Sequence, residues 1–121
     1  MTSGMRAHKL KTWPQYFSAV RYLNKTCELR KADRDFRVGD YLMLIEYNPD
    51  LDAATGAYLC RRVTHILTAA DAPRGLVDGF VILSLADCGS LEEDALSGRS
   101  PTILSFPPVE WIAPSPETRQ Q

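Results

Sequence analysis

Apolar residues along the chain change their spacing in a way that marks successive elements. From His8 to Lys11 only Leu10 is apolar, which predicts a brief strand leading into a helix. Thr12 followed by Gln15 has the form of a capping box, and Pro14 falls in the first turn, where its missing N–H costs nothing. Trp13, Phe17, Val20 and either Leu23 or Asn24 then recur at helical spacing, so one helix is expected from about Trp13 to Leu23. From Thr26 to Lys31 the period becomes two. Cys27 and Leu29 are expected to face a core, with Thr26, Glu28 and Arg30 on the opposite face of a strand.

Further on, Arg34 to Asp40 reads as a polar turn around Phe36, with Asp33 and Asp35 fixing it through side-chain-to-backbone bonds and Gly39-Asp40 turning tightly into the next strand. Tyr41 to Tyr47 is a strong strand, and Asn48 to Gly56, with its Pro, Gly and two Asp, is a hairpin loop. Tyr58 to Leu67 returns as a strand with Arg61, Val63, His65 and Leu67 on one face and Cys60, Arg62, Thr64 and Ile66 on the other. Gly79 to Leu85 is a further buried strand after the broken segment Ala69–Asp78. The acidic stretch Asp87–Arg99 reads as a linker, Thr102–Phe106 as a last strand, and the prolines from Pro107 onward as an extended tail. The domain plan is therefore a flexible leader over residues 1–7, one domain over 8–106, and a tail over 107–121. The order β-α-β-β-β-β has no room for repeated crossover helices. It predicts a mostly β (α+β) fold, a small β-barrel or curved sheet with one early helix at its opening.

Composition adds little until it is divided along the chain. The 121 residues are 45% hydrophobic and 24% charged, an ordinary globular balance. The formal net charge is −1, yet residues 1–37 hold nine Lys and Arg against three Asp and Glu, while residues 38–121 hold five against twelve. So uneven a distribution favours a polyanionic partner met by one face. The three cysteines, Cys27, Cys60 and Cys88, form no CxxC pair. They read as small core residues in a reducing compartment, with neither disulfide nor zinc site, and so as a cytoplasmic protein without metal or cofactor. No apolar run is long enough to span a bilayer, and no hydrophobic segment opens the chain.

Several spacings agree with a known family. His8-x-Leu10-Lys11, Tyr16-Phe17-x-x-Val20, Lys25-x-x-Glu28-x-Arg30, Asp33-Arg34-x-Phe36 and Gly39-Asp40-x-Leu42 resemble the ASCH-like proteins of the PUA-like superfamily, most of all a small bacterial and phage subfamily of unknown function. The resemblance runs from His8 through Leu85. It implies a PUA-like β-barrel with a cleft between the early helix and the sheet, where RNA or a modified nucleotide binds. Some relatives are amidohydrolases of an acetylated cytidine that use a Lys, a Thr and a Glu. Lys25 matches that Lys, Glu28 stands where they have the Thr, and their Glu has no counterpart here.

Lys11, Lys25, Glu28, Arg30 and Arg34 carry the candidate chemistry. Arg forks and Lys point charges suit phosphates, and Glu28 can accept from a base edge or orient Arg30. His8 can cap a pocket or move a proton, and Thr26 follows Lys25 at the start of the strand. Tyr16, off the helix stripe, is the candidate for stacking on a base, whereas Trp13 and Phe17 are expected in the core. The expected function is a nucleic-acid-binding module with one continuous positive face formed by Lys11, Lys25, Arg30 and Arg34. The alternative is a small hydrolase of a modified nucleoside, with Lys25 as base or nucleophile and Glu28 as its partner. An adaptor acting through the Pro-rich tail is a third reading, from composition alone.

Overall fold

The computed structural model describes residues 4–98 and 109–114. Six strands form one mixed sheet: β1 (Met5–Thr12), β2 (Cys27–Lys31), β3 (Tyr41–Asn48), β4 (Ala53–Thr68), β5 (Phe80–Asp87) and β6 (Val109–Trp111). Their order across the sheet is β2-β5-β4-β3-β1-β6. The β3-β4, β4-β5 and β5-β2 contacts are antiparallel, whereas β1 runs parallel to both β3 and β6. Helix α1 (Pro14–Arg21) supplies the crossover that the parallel β1-β3 pair requires, and a second short helix, α2 (Ser90–Ser97), follows β5. The protein is thus mostly β with an early helix, and among the described residues the ladder runs from β2 at one end to β6 at the other.

Each face of the sheet carries its own apolar cluster. On the inner face Leu10, Leu42, Leu44, Val63, Val81 and Leu83 pack with Val20 of α1. On the other, Met5, Ala7, Met43 and Cys60 pack with Leu96 of α2. Strands covered on both faces alternate less cleanly than half-buried ones, which is why Tyr41–Ile45 reads as a continuous apolar run.

Several expectations change at the level of local geometry. The first residue of α1 is Pro14, and its N-cap is Trp13, whose carbonyl accepts from Tyr16 N and Phe17 N at 3.0 and 2.8 Å. Thr12 is the last residue of β1 and makes no cap, so the expected capping box does not form. The helix ends at Arg21, and Leu23, not Asn24, takes the left-handed conformation at φ 64°. Asn24 N and Lys25 N then close on the Ala19 carbonyl. The hairpin loop is confined to residues 49–52, because the Asn48 side chain accepts from Asp50 N and Leu51 N and lets both strands extend. A bulge between Val63 and His65 breaks the simple alternation expected of β4.

Asp40, more than Asp33 or Asp35, fixes the turn before β3, since its Oδ2 accepts from Arg37 N at 2.9 Å. Residues 5–7, read as leader, belong to β1, with Met5 and Ala7 buried. The acidic linker contains α2, and the tail contains β6; the strand expected at Thr102–Phe106 lies outside the described residues.

The cysteine reading also changes. Cys60 and Cys88 are joined as a disulfide across 5.9 Å between Cα atoms, which ties the start of the α2 segment to β4, and Cys27 is the exposed free thiol. Neighbouring Tyr41 donates to Glu92 of α2, and burial together with that bond pushes its phenol up to about 12. The inference of a reducing compartment from unpaired cysteines loses its premise. Among the described residues no helix is long and apolar enough to cross a membrane.

Candidate functional site

Strand register decides which side chains of β2 turn inward. Glu28 lies opposite Leu83 and Arg30 opposite Val81, and directly paired residues share a face. Leu83 and Val81 belong to the inner cluster, so Glu28 and Arg30 point to the same side. This reverses the expected polarity of the strand: Glu28 is buried at 4% exposure, while Cys27 is exposed and Leu29 is 59% exposed. The reason is that β2 is an edge strand. Its inward face lines an opening and not a packed core, so a carboxylate with cationic partners can occupy it.

Glu28 sits at the floor of a cleft of about 510 Å³ walled by Trp13, Tyr16, Lys25, Leu29 and Arg30, with Lys11 and Thr12 at the end of β1. Its two oxygens are divided between two cations. Lys25 Nζ lies 2.7 Å from Oε1, and Arg30 Nε lies 3.2 Å from Oε2. Lys25 also donates to the Cys27 carbonyl, and Arg30 Nη2 donates to the Lys11 carbonyl at 2.8 Å and reaches Thr12 Oγ1 at 3.5 Å. Arg30 thereby bridges edge strand β2 to β1, so two separated parts of the sheet approach through a side chain without a backbone ladder.

The aromatic wall comes from the start of α1. Trp13 and Tyr16 are 49% and 50% exposed. Both lie off the buried stripe of Phe17 and Val20. The expectation of a core Trp13 therefore fails, because the helix begins after it and leaves its ring at the rim. Arg61 Nη2 donates to the Val20 carbonyl at 3.2 Å, which holds the end of the helix against β4.

Of the residues singled out in the sequence, the fold brings Tyr16, Lys25, Glu28 and Arg30 together. Lys11 contributes its carbonyl; its ammonium lies 4.4 Å from the Tyr47 ring centroid. Thr26 is exposed and does not line the cleft, and its carbonyl accepts from Leu85 N. Arg34 lines a separate groove with Trp111. The single positive face expected of Lys11, Lys25, Arg30 and Arg34 is thus divided. Trp13, Thr12 and Leu29 are cleft residues that periodicity hid, since each read as part of a core or a cap.

His8 is elsewhere. It is fully buried, with Nε2 2.7 Å from Asp40 Oδ2 and its ring 4.6 Å from that of Phe36. Asp40 also accepts from Arg6 Nε at 3.0 Å. Burial pushes the imidazole below its ordinary value of 6.5, against the opposing pull of Asp40. The neutral ring donates through Nε2–H, which leaves Nδ1 buried without a hydrogen bond among the described residues. Such a residue organises the turn and has no path to a ligand in the cleft.

Among the described residues no group of three or more His, Cys, Asp or Glu is placed to hold a metal ion. The cleft offers one buried carboxylate, flanking cationic donors and two half-exposed aromatic rings. No curated protein matches the chain. Residues 7–85, more than half of the sequence and including every wall of the cleft, match the family model described as a domain of unknown function (DUF3850), and the chain belongs to that family.

Proposed function

We propose that the protein is a nucleic-acid-binding module that takes a base of RNA or a modified nucleotide into the Glu28 cleft. The observation that carries the reading is a buried carboxylate beneath half-exposed Trp13 and Tyr16, flanked by Lys25 and Arg30. A carboxylate accepts only, and each oxygen keeps lone-pair capacity beyond its one cationic partner, so it can take an exocyclic amine or ring N–H. The cations offer donors to base carbonyls or phosphate, and the rings offer stacking faces that any base can use. The volume of about 510 Å³ suits one nucleotide. The resemblance to ASCH-like proteins agrees with this reading and with a PUA-like arrangement of the six-stranded sheet.

A hydrolase of a modified nucleoside is less well supported. Lys25 Nζ donates to both Glu28 and the Cys27 carbonyl. A lysine used as a nucleophile or base needs a free lone pair and not two acceptors.

Titration of the protein with nucleoside monophosphates and short RNAs, followed by calorimetry and by the Trp13 indole N–H resonance, tests the proposal. Saturable binding that shifts Trp13 and weakens in Glu28→Gln is expected. Failure of every nucleotide to bind would refute it, and turnover of an acylated cytidine that disappears in Lys25→Ala would reverse the ranking of the two readings.

A further inference from the structure

A second groove shares strand β1 with the first and lies partly outside the family match. It measures about 400 Å³ and is lined by Lys9, Arg34, Trp111, Ile112, Ala113 and Pro114. Strand β6 covers only Met5–Ala7 of β1, after which Ile112 N donates to the Ala7 carbonyl. From His8 to Thr12 that edge of β1 bears no strand among the described residues. Backbone carbonyls alternate along a strand, so those of Lys9 and Lys11 point the same way as that of Ala7, toward the open edge. Lys11 uses its carbonyl to hold Arg30, at one end of the first cleft. Lys9, two residues back and about 7 Å along the strand, lines the second groove. The two openings are consecutive stops on one edge.

Both stops set aromatic rings beside cations, and the first alone of the two has a carboxylate in its lining. The first has Trp13 and Tyr16 with Lys25 and Arg30. In the second, Trp111 is 39% exposed with Lys9 Nζ 4.7 Å from its ring centroid. Arg34 donates through Nη1 to the Ile112 carbonyl at 3.4 Å, while its buried Nε makes no hydrogen bond among the described residues. Burial lowers the Arg34 guanidinium from its ordinary value, the Asp33 carboxylate opposes that, and the charge of Arg30 adds to it. Arg30 and Arg34 thus each line one of the two grooves, beside their carboxylate partners Glu28 and Asp33, and guanidinium N–H groups are the donors that a bridging phosphate takes up.

We propose that the Trp111 groove holds the neighbouring nucleotide of a single strand whose first base occupies the Glu28 cleft, with the linking phosphate near Arg30 and Arg34. The inference rests on the base-binding reading of that cleft and extends it: the ligand is a strand and not a free nucleoside.

The chain has two tryptophans, one in each groove, so their indole N–H resonances report the two sites separately. The experiment compares a nucleoside monophosphate with the di- and trinucleotide of the same base, by calorimetry and by these two resonances. It uses wild type, Trp111→Ala and Lys9→Ala; Lys9 is exposed, so its removal leaves the fold intact. The mononucleotide should shift Trp13 alone. The dinucleotide should shift both and bind about tenfold tighter, and that gain should vanish in either variant while mononucleotide affinity stays unchanged. Equal affinity for one and two nucleotides, or a gain that survives both variants, overturns the second subsite and leaves the first standing. A chain that binds neither ligand overturns the cleft reading itself.

Discussion

Among the described residues two carboxylates, Asp40 and Glu28, are buried, and they differ in what surrounds their partners. Asp40 receives His8 Nε2, Arg6 Nε and Arg37 N, with the Phe36 ring packed against His8. Glu28 receives Lys25 and Arg30, and its neighbours open onto a cleft. Both groups lost their water on folding and both recovered it as charge-assisted bonds. What differs is the far side of the partners. Around Asp40 the donors complete a turn. Around Glu28 they border empty volume, so part of their capacity remains for a ligand.

The largest expected effect breaks the sealed member. Asp40→Ala strips a fully buried imidazole and a partly buried guanidinium of their acceptor, and should cost about 3–5 kcal/mol of stability. Denaturant unfolding measures it. Nucleotide affinity, read where the variant is still folded, should be unchanged. A loss below about 1 kcal/mol would mean that the turn is held by something other than this carboxylate.

Glu28→Gln reverses that pattern. Lys25 and Arg30 are 27% and 25% exposed at their side chains and can be rehydrated, so stability should change little. Affinity for a bound nucleotide should fall by about 2 kcal/mol, roughly thirtyfold. Should Glu28→Gln destabilise as strongly as Asp40→Ala and leave binding intact, Glu28 would be a second structural pair and the contrast would collapse.

Trp13→Ala and Tyr16→Ala sharpen the open side. Each should weaken binding by about 1–2 kcal/mol through lost stacking. Stability should fall by no more than about 1 kcal/mol, as expected for half-exposed side chains off the buried stripe. Thermal melts beside calorimetric titrations would reveal a hidden packing role if stability fell further.

The smallest effect is a pH dependence of the sealed side. The folded pKa of His8 lies below its ordinary 6.5. Between that lowered value and 6.5 the unfolded chain binds more protons than the folded one, so stability falls as pH drops below 6.5 and is flat above it. The same region of the curve should flatten in His8→Gln, which keeps a donor for Asp40 without titrating. An identical profile in the variant would assign the slope to other groups.

Much of this site was legible in the residues alone. Lys25, Glu28 and Arg30 lie close in sequence, and Tyr16 stands off a clear apolar stripe, so local spacing brings them within reach. The strands around the strong apolar runs, Tyr41–Tyr47 and Gly79–Leu85, could be read for the same reason. The reversed face of β2 could not. Alternation says only that Glu28 and Leu29 point oppositely; which one faces inward depends on pairing with β5 more than fifty residues away.

The positions of His8 and Arg34 are beyond local spacing for a similar reason. A histidine and an arginine carry the same chemistry in a sealed turn, a second groove or the main cleft. Only the route of β1 and the arrival of β6 from the far end of the chain assign each its place. The sequence by itself determined the periods, the early helix and the set of charged and aromatic groups, because those follow from residue type and near-neighbour spacing. The tertiary structure decided which buried carboxylate is open, because access depends on long-range strand order and on the side chains that meet across it.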